Sequence, residues 1–310
     1  MAKGSTRAVV AAMIANGIIA AAKFFAAAVT GSSAMISEGI HSVADTGNQA
    51  LLLFGNWRSQ KPADRRHPFG YGPEMYFWSL IVAMILFGLG GGFSLYEGIS
   101  HLGHAEIPRN PAWNYGVLGV AFVVELIALR VALNELGGAG SGQGILERLR
   151  KSKDPRVFVP VAEDFAALLG VVVAFLGVWL ARVLEAPVLD AVSSIVIGVI
   201  LAGVALFLAY ETRALLVGET VAGGLEEKVR RICAEDEEVV DVVRMLGVNL
   251  GPDEVLLTLG LHFDPGLATE ELTRSVERIE RRIRESDPRV TRVFVEPEAA
   301  SDRGGVRPPF

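Results

Sequence analysis

His41 and Asp45 lie four residues apart in SEGIHSVADTGNQALLLFG (residues 38–56), inside a long apolar stretch. That spacing stacks an imidazole and a carboxylate on one face of a helix, and Asn48 follows on the same face. Asp45 falls near the middle of its stretch. An ionisable group at that depth costs about 2.5–3.5 kcal/mol on insertion scales, so it is read as functional by default. Stacked this way, the two residues match half of a tetrahedral or octahedral divalent-metal site. The competing reading is a polar contact between helices. A second pair, Glu163 and Asp164 in PVAEDFAALLG (160–170), offers the other half. Adjacent helical residues point about 100° apart, so the two cannot face one ligand equally. Alone they read as hydrated groups near the cluster Arg148–Arg156. Together with His41 and Asp45 they make a four-ligand site between two helices the better account.

Other polar residues in apolar surroundings carry weaker signals. Lys23 is expected to snorkel toward the outer interface. Glu125 is deep enough for a proton or ion station, but Arg130 is near enough in sequence for a structural ion pair. Asp64 and His67 are tentative ligands of a small accessory metal site, with a hydrated loop as the alternative.

The elements that must position these residues are apolar helices. Of the 310 residues, 51% are hydrophobic, and they cluster. Six segments are long enough to span a bilayer: 8–30, 34–56, 76–102, 113–135, 157–183 and 187–212. The first is too long for a cleaved signal peptide and is read as a retained span. Lys3, Arg7, Arg58, Lys61, Arg65, Arg66, Arg148, Arg150, Lys151, Lys153 and Arg156 fall on one side of these spans, against Arg109 and Arg182 on the other. The positive-inside rule then puts both termini in the cytoplasm. Trp113 and Tyr115 fit an interfacial aromatic belt, and GGAGSGQG (137–144) reads as a flexible linker.

After Val217 the apolar runs shorten and charge becomes dense. The pattern there predicts helix 225–236, strand 239–248, strand 254–263, helix 268–286 and strand 289–296. This αββαβ order suggests a ferredoxin-like domain. The fold class is therefore a multi-pass α-helical membrane protein with six transmembrane helices and a C-terminal ferredoxin-like α+β cytoplasmic domain. Its divisions are a transport domain (1–216), the cytoplasmic domain (217–299) and a disordered tail (300–310). Residues 217–310 carry a net charge of −7 out of −6 for the whole chain, so the membrane part is near neutral. No basic patch points to nucleic acid. Cys233 is the single cysteine, which suits a reducing compartment. No nucleophile–base pair, HExxH motif or phosphate-binding loop suggests an enzyme, and no catalytic residue is assigned.

These features resemble the cation diffusion facilitator family of divalent-metal transporters over essentially the whole chain. The most specific pieces are VTGSSAMISEGIHSVADTGNQ (29–49) and KPADRRHPFGYGPE (61–74). The resemblance implies metal export by proton antiport from a homodimer whose cytoplasmic domains pack together. It implies a site made of two residues four apart in the second span and two in the fifth. His41 and Asp45 match the first pair, and Asp164 matches the last position. Four residues before it stands Pro160, which carries no ligand. Glu163 is the nearest substitute, and the Glu-Asp pair is similar to a divergent, ninth-member branch of the human zinc transporters. Pro160 also removes a backbone donor, and a local distortion there would turn Glu163 inward. In the loop, Tyr71 replaces a second histidine beside the FG motif, leaving Asp64 and His67. The cytoplasmic domain offers His262 with Asp241, Glu296 and Glu298 in place of a His-rich site.

One imidazole with three carboxylates admits Zn²⁺, the preferred reading, but also Mn²⁺, Fe²⁺ or Co²⁺. Mg²⁺ is expected to keep its waters and avoid imidazole. Protons compete for the same ligands, and His41 is of the residue type that titrates near neutral pH. The partners are then a transported metal ion, protons, the lipid bilayer and a second copy of the chain, with no resident cofactor. The expected location is a bacterial inner membrane. A different class also stands: a membrane regulator or assembly protein that does not transport, with Pro160 marking the loss.

Overall fold

The structure is a computed structural model that describes residues 3–104, 106–108, 110–137, 144–221 and 223–298. The side chains of 3–12, Arg109, most of the 137–144 linker and the 300–310 tail lie outside the described residues. The chain divides into two compact units, Met1–Gln60 with Glu74–Arg213 and Lys61–Pro73 with Ala214–Phe310.

The first unit is helical. It comprises α1 (Lys3–Thr30), α2 (Ser33–Ser59), α3 (Glu74–Ile85), a π-helical segment (Leu86–Gly92), α4 (Phe93–Leu102), α5 (Ala112–Glu135), α6 (Ile145–Lys151), α7 (Pro155–Val183) and α8 (Val188–Val217). Five of these stretches are long and apolar enough to cross a membrane, counting α3 to α4 as one. The sequence predicts six. The difference is α2, which has the length but spends its inward face on polar side chains: Ser33, Ser37, Glu38, His41, Ser42, Asp45, Asn48 and Asn56 are all buried. Side chains such as Ile18, Val120, Ile127, Val199 and Leu206 are instead more than half exposed. Apolar outside and polar inside is the arrangement a hydrocarbon solvent selects.

Small residues let these helices approach closely. Ala26, Ala121, Ala166 and Ala174 are wholly buried. One such close approach is between α4 and α8. A Cβ on Gly98 would stand 2.6 Å from Ile195 Cγ1 and 2.8 Å from the Ala191 carbonyl oxygen, and one on Gly198 would stand 2.8 Å from the Leu95 amide. Between α1 and α2 the chain reverses at Gly31, whose φ of +74° favours glycine. The Ser32 hydroxyl then caps α2 by accepting from the Met35 amide at 3.3 Å. Asp154 caps α7 in the same way, accepting from the Arg156 amide at 2.9 Å, with Pro155 at the start of the helix. Further on, Pro160 is accommodated without breaking α7.

In the second unit the predicted αββαβ order forms. It comprises α9 (Gly223–Ala234), β1 (Val239–Gly251), β2 (Glu254–Phe263), α10 (Thr269–Ser286) and β3 (Val290–Pro297). The sheet order is β1-β2-β3; β1 and β2 are antiparallel and β2 and β3 parallel. Alternate residues Val255, Leu257, Leu259 and Leu261 of β2 pack against Val229 and Cys233 of α9 and Ile279 and Ile283 of α10. The loop Lys61–Pro73 belongs to this unit: Gly72 abuts Leu250 and Gly251, and the Arg292 guanidinium lies 5.1 Å from the Phe69 ring centre.

Two outcomes test this packing. Gly98→Val forces a side chain against a backbone carbonyl and is expected to cost about 1–3 kcal/mol or more, read as a lowered Tm of the detergent-purified protein. Burial, with the Asp236 charge beside it, pushes the Cys233 thiol up to about 11. Cys233 is therefore expected to resist maleimide at neutral pH in the folded protein and to react once denaturant unfolds the domain.

Candidate metal-transport site

The polar face of α2 meets α1 on one side and α7 on the other. His41 is completely buried and its Nδ1 lies 3.3 Å from Asp45 Oδ1, one helical turn away. Neither ring nitrogen of His41 nor Asp45 Oδ1 has a hydrogen-bond partner among the described residues. Buried polar atoms without partners cost about 1–3 kcal/mol each, so three at one place mark a site shaped for something else. One turn further along, the Asn48 amide donates to Glu163 Oε1 at 2.6 Å, tying α2 to α7.

On α7, Glu163 is only 4% exposed, while its neighbour Asp164 is half-buried. The inward member of the pair is thus Glu163. Asp45 lies within electrostatic reach of Glu163, Asp164 and Glu125. Among the described residues, no three His, Cys, Asp or Glu side chains stand close enough to hold an ion together. His41 and Asp45 face each other along α2, and Glu163 is engaged by Asn48.

Two expectations are corrected. Lys23 does not snorkel. It is fully buried, and its Nζ donates to Glu38 Oε2 at 2.8 Å and to Ser42 Oγ at 2.9 Å. An ammonium inside the bundle gains more from a carboxylate at contact than from a stretched route to water. Nor do Glu125 and Arg130 pair: five residues apart on α5 they face different ways, Glu125 buried and Arg130 exposed. Glu38 was the residue to notice in the sequence, three before His41 and seven before Asp45 on the same face. No signal along the chain marked the Ser32–Asp190 contact. There, Asp190 of α8 accepts from the Ser32 hydroxyl at 2.6 Å and the Ser33 amide at 2.7 Å, at the start of α2.

In the loop, Asp64 Oδ1 accepts from the Arg66 and His67 amides at 2.9 and 2.8 Å, and Oδ2 accepts from the Tyr71 hydroxyl at 2.7 Å. His67 Nδ1 lies 3.5 Å from Asp64 Oδ1. The Lys61 ammonium donates to the Tyr71 oxygen at 3.1 Å and sits 3.8 Å from Asp64 Oδ2. Both oxygens of Asp64 are therefore already engaged. In the second unit's sheet, Arg244 bridges Glu296 at 2.7 Å and Glu298 at 3.1 Å. His262 Nδ1 is 3.0 Å from the Glu298 carbonyl oxygen, and Asp241 accepts from the Val242 amide.

Long apolar helices around a buried imidazole and carboxylates define a multi-pass membrane protein with a charged interior. Residues 9–217 match the cation efflux transmembrane domain, and the chain belongs to the cation diffusion facilitator family. It is 32% identical over 269 residues to the human proton-coupled zinc antiporter SLC30A9, mitochondrial, covering 86% of this chain and 47% of that protein. It is 30% identical to metal tolerance protein C4 of Arabidopsis thaliana, over 89% of this chain and 61% of the relative. Against the magnetosome protein MamB of Paramagnetospirillum magneticum the identity is 25%, with 88% of both chains covered. The chain thus spans about half the length of the SLC30A9 relatives it matches.

The loop supplies a test of its own. The Tyr71 hydroxyl, with the His67 and Arg66 amides, draws the Asp64 carboxyl down to about 2. A depressed carboxylate contributes stability above its ordinary value near 4 and loses it as the pH falls toward 2. Tyr71→Phe is expected to move the Asp64 titration, followed by NMR, back up toward the ordinary carboxylate range.

Proposed function

We propose that the protein is a divalent-metal/proton antiporter, with Zn²⁺ as its cargo, and that His41, Asp45, Glu163 and Asp164 bind the ion between α2 and α7. The observation that carries this reading is the set of unpartnered buried atoms on His41 and Asp45, opposite the inward-facing Glu163. An imidazole and carboxylates bind a divalent ion only when deprotonated, so proton entry and metal release compete for the same atoms. Binding has Glu163 exchange the Asn48 amide for the ion, and Asn48 returns as its partner on release. Rocking of the helices then exposes the site to each side in turn.

The zinc preference draws support from the SLC30A9 relatives, whose name states proton-coupled zinc antiport. Mn²⁺, Fe²⁺ and Co²⁺ are the second candidates on the carboxylate-rich donor set. The wider reading is a six-span protein with α2 as the sixth span and both termini in the cytoplasm, in a bacterial inner membrane. The αββαβ unit is its cytoplasmic domain. It works as a homodimer joined by the sheet face away from α9 and α10, where Leu246 and Phe294 flank Thr258 and are half-exposed. Asp64 and His67 bind metal in the loop only by displacing the Tyr71 hydroxyl. The non-transporting alternative rests on Pro160, which sits in α7 where the resemblance calls for a ligand.

Proteoliposome uptake of Zn²⁺, Mn²⁺, Fe²⁺ and Co²⁺ under an imposed pH gradient tests this. Gradient-dependent flux is expected in the wild type and none in Asp45→Asn or Glu163→Gln. Retained flux in Glu163→Gln removes that residue from the site. Absence of flux for every metal in the wild type selects the non-transporting reading. Asn48→Ala, which loses only a supporting contact, is expected to weaken metal affinity about 10-fold and leave flux measurable at high metal.

A further inference from the structure

We propose that Lys23 is a tethered cation that sets how tightly the bundle holds its divalent cargo, acting through Glu38 and not by touching the ion. The inference rests on the transport reading above and concerns residues that reading does not use. Lys23 and Glu38 are both fully buried, and the ammonium donates at 2.8 Å to one Glu38 oxygen and at 2.9 Å to the Ser42 hydroxyl. The other Glu38 oxygen has no hydrogen-bond partner among the described residues. It is turned to Gly170 of α7, where any side chain would collide with it. A half-satisfied carboxylate thus occupies space between α2 and α7, on the same face of α2 as His41 and Asp45.

The bundle interior holds Glu38, Asp45, Glu125, Glu163 and Asp164, and Lys23 is the fixed cation whose field reaches His41, Asp45 and Glu125. Through that field Lys23 offsets one negative charge for the whole site and keeps Glu38 from joining the ligands. With Lys23 removed, the site gains one net negative charge and one free carboxylate. Divalent ions then bind more tightly and leave more slowly, and hard ions such as Mn²⁺ gain most. With Glu38 neutralised instead, the unpaired ammonium repels the cargo. Lys23 is accordingly a positioning and specificity residue, and its signature is a pair of opposite effects.

Isothermal titration of the nanodisc-reconstituted full chain with Zn²⁺ and Mn²⁺, alongside flux, reads this out. Lys23→Met is expected to bind about 10-fold tighter or more, with the larger gain for Mn²⁺ and slower turnover. Glu38→Gln is expected to bind about 10-fold weaker. Lys23→Arg and the double variant Lys23→Met/Glu38→Gln keep the net charge and are expected to stay near wild type. Single variants that shift affinity in the same direction, or leave it unmoved, overturn the proposal. If the single variants do not fold, a change of about 10-fold or more in the double variant overturns it, and wild-type affinity there supports it. Wild-type protein that neither binds nor moves metal sinks the transport reading, and this inference with it. Wild-type flux with unshifted variants sinks this inference alone.

Discussion

Inside the first unit, the fully buried Lys23 ammonium is bonded to Glu38 and Ser42. Charge buried in a medium of low dielectric is tolerable only when it is compensated, and the remaining geometry follows from that constraint. Because α1 supplies the cation, α2 can present several polar groups inward and still pack. α7, in turn, leaves room for Glu38 at Gly170 and brings Glu163 to Asn48. The outer surfaces of the helices are then free to be apolar.

The start of α2 is fixed as firmly as its middle. Asp190 of α8 reaches the first amides of α2, and the Ser33 and Ser194 hydroxyls lie 2.8 Å apart. Nearby, the Thr30 hydroxyl donates to Asn114 of α5 at 2.9 Å. A carboxylate at a helix N-terminus is favoured by the backbone dipole as well as by the hydrogen bonds. The start of α2 is therefore joined to α8 by several polar contacts, and beside it α1 is joined to α5. Near the other end, Arg156 of α7 reaches Asn56 at 3.3 Å, and Arg58 donates to Glu74 of α3 at 2.8 Å.

How much of this was legible in the sequence depended on the range of the interaction. The αββαβ unit was readable almost to the residue, because strand alternation and the amphipathic period of α10 are local signals. The His41–Asp45 stack was readable for the same reason, being one turn of one helix. Lys23 was misread because its partner lies 15 residues away on another helix, and spacing along α1 says nothing of α2. Pro160 hinted at the inward turn of Glu163, but only the Asn48 contact gives that turn a partner. Tyr71 was noticed as a missing histidine. Its hydroxyl in fact organises the Asp64 turn, a role that needs the folded loop to be seen.

The π-helical segment between α3 and α4 bears on how this span can change over evolutionary time. A wide turn absorbs an extra residue without breaking the helix. Here it ends in Gly90-Gly91-Gly92, which have no side chains to re-seat. The wide turn sets the angular phase of α4 relative to α3 by a fixed offset, at a point where Gly90 and Gly91 lie close against Leu201 and Ala202 of α8. A residue gained or lost before this point re-aims the α3 face while the tight Gly98–Ile195 seam keeps its register.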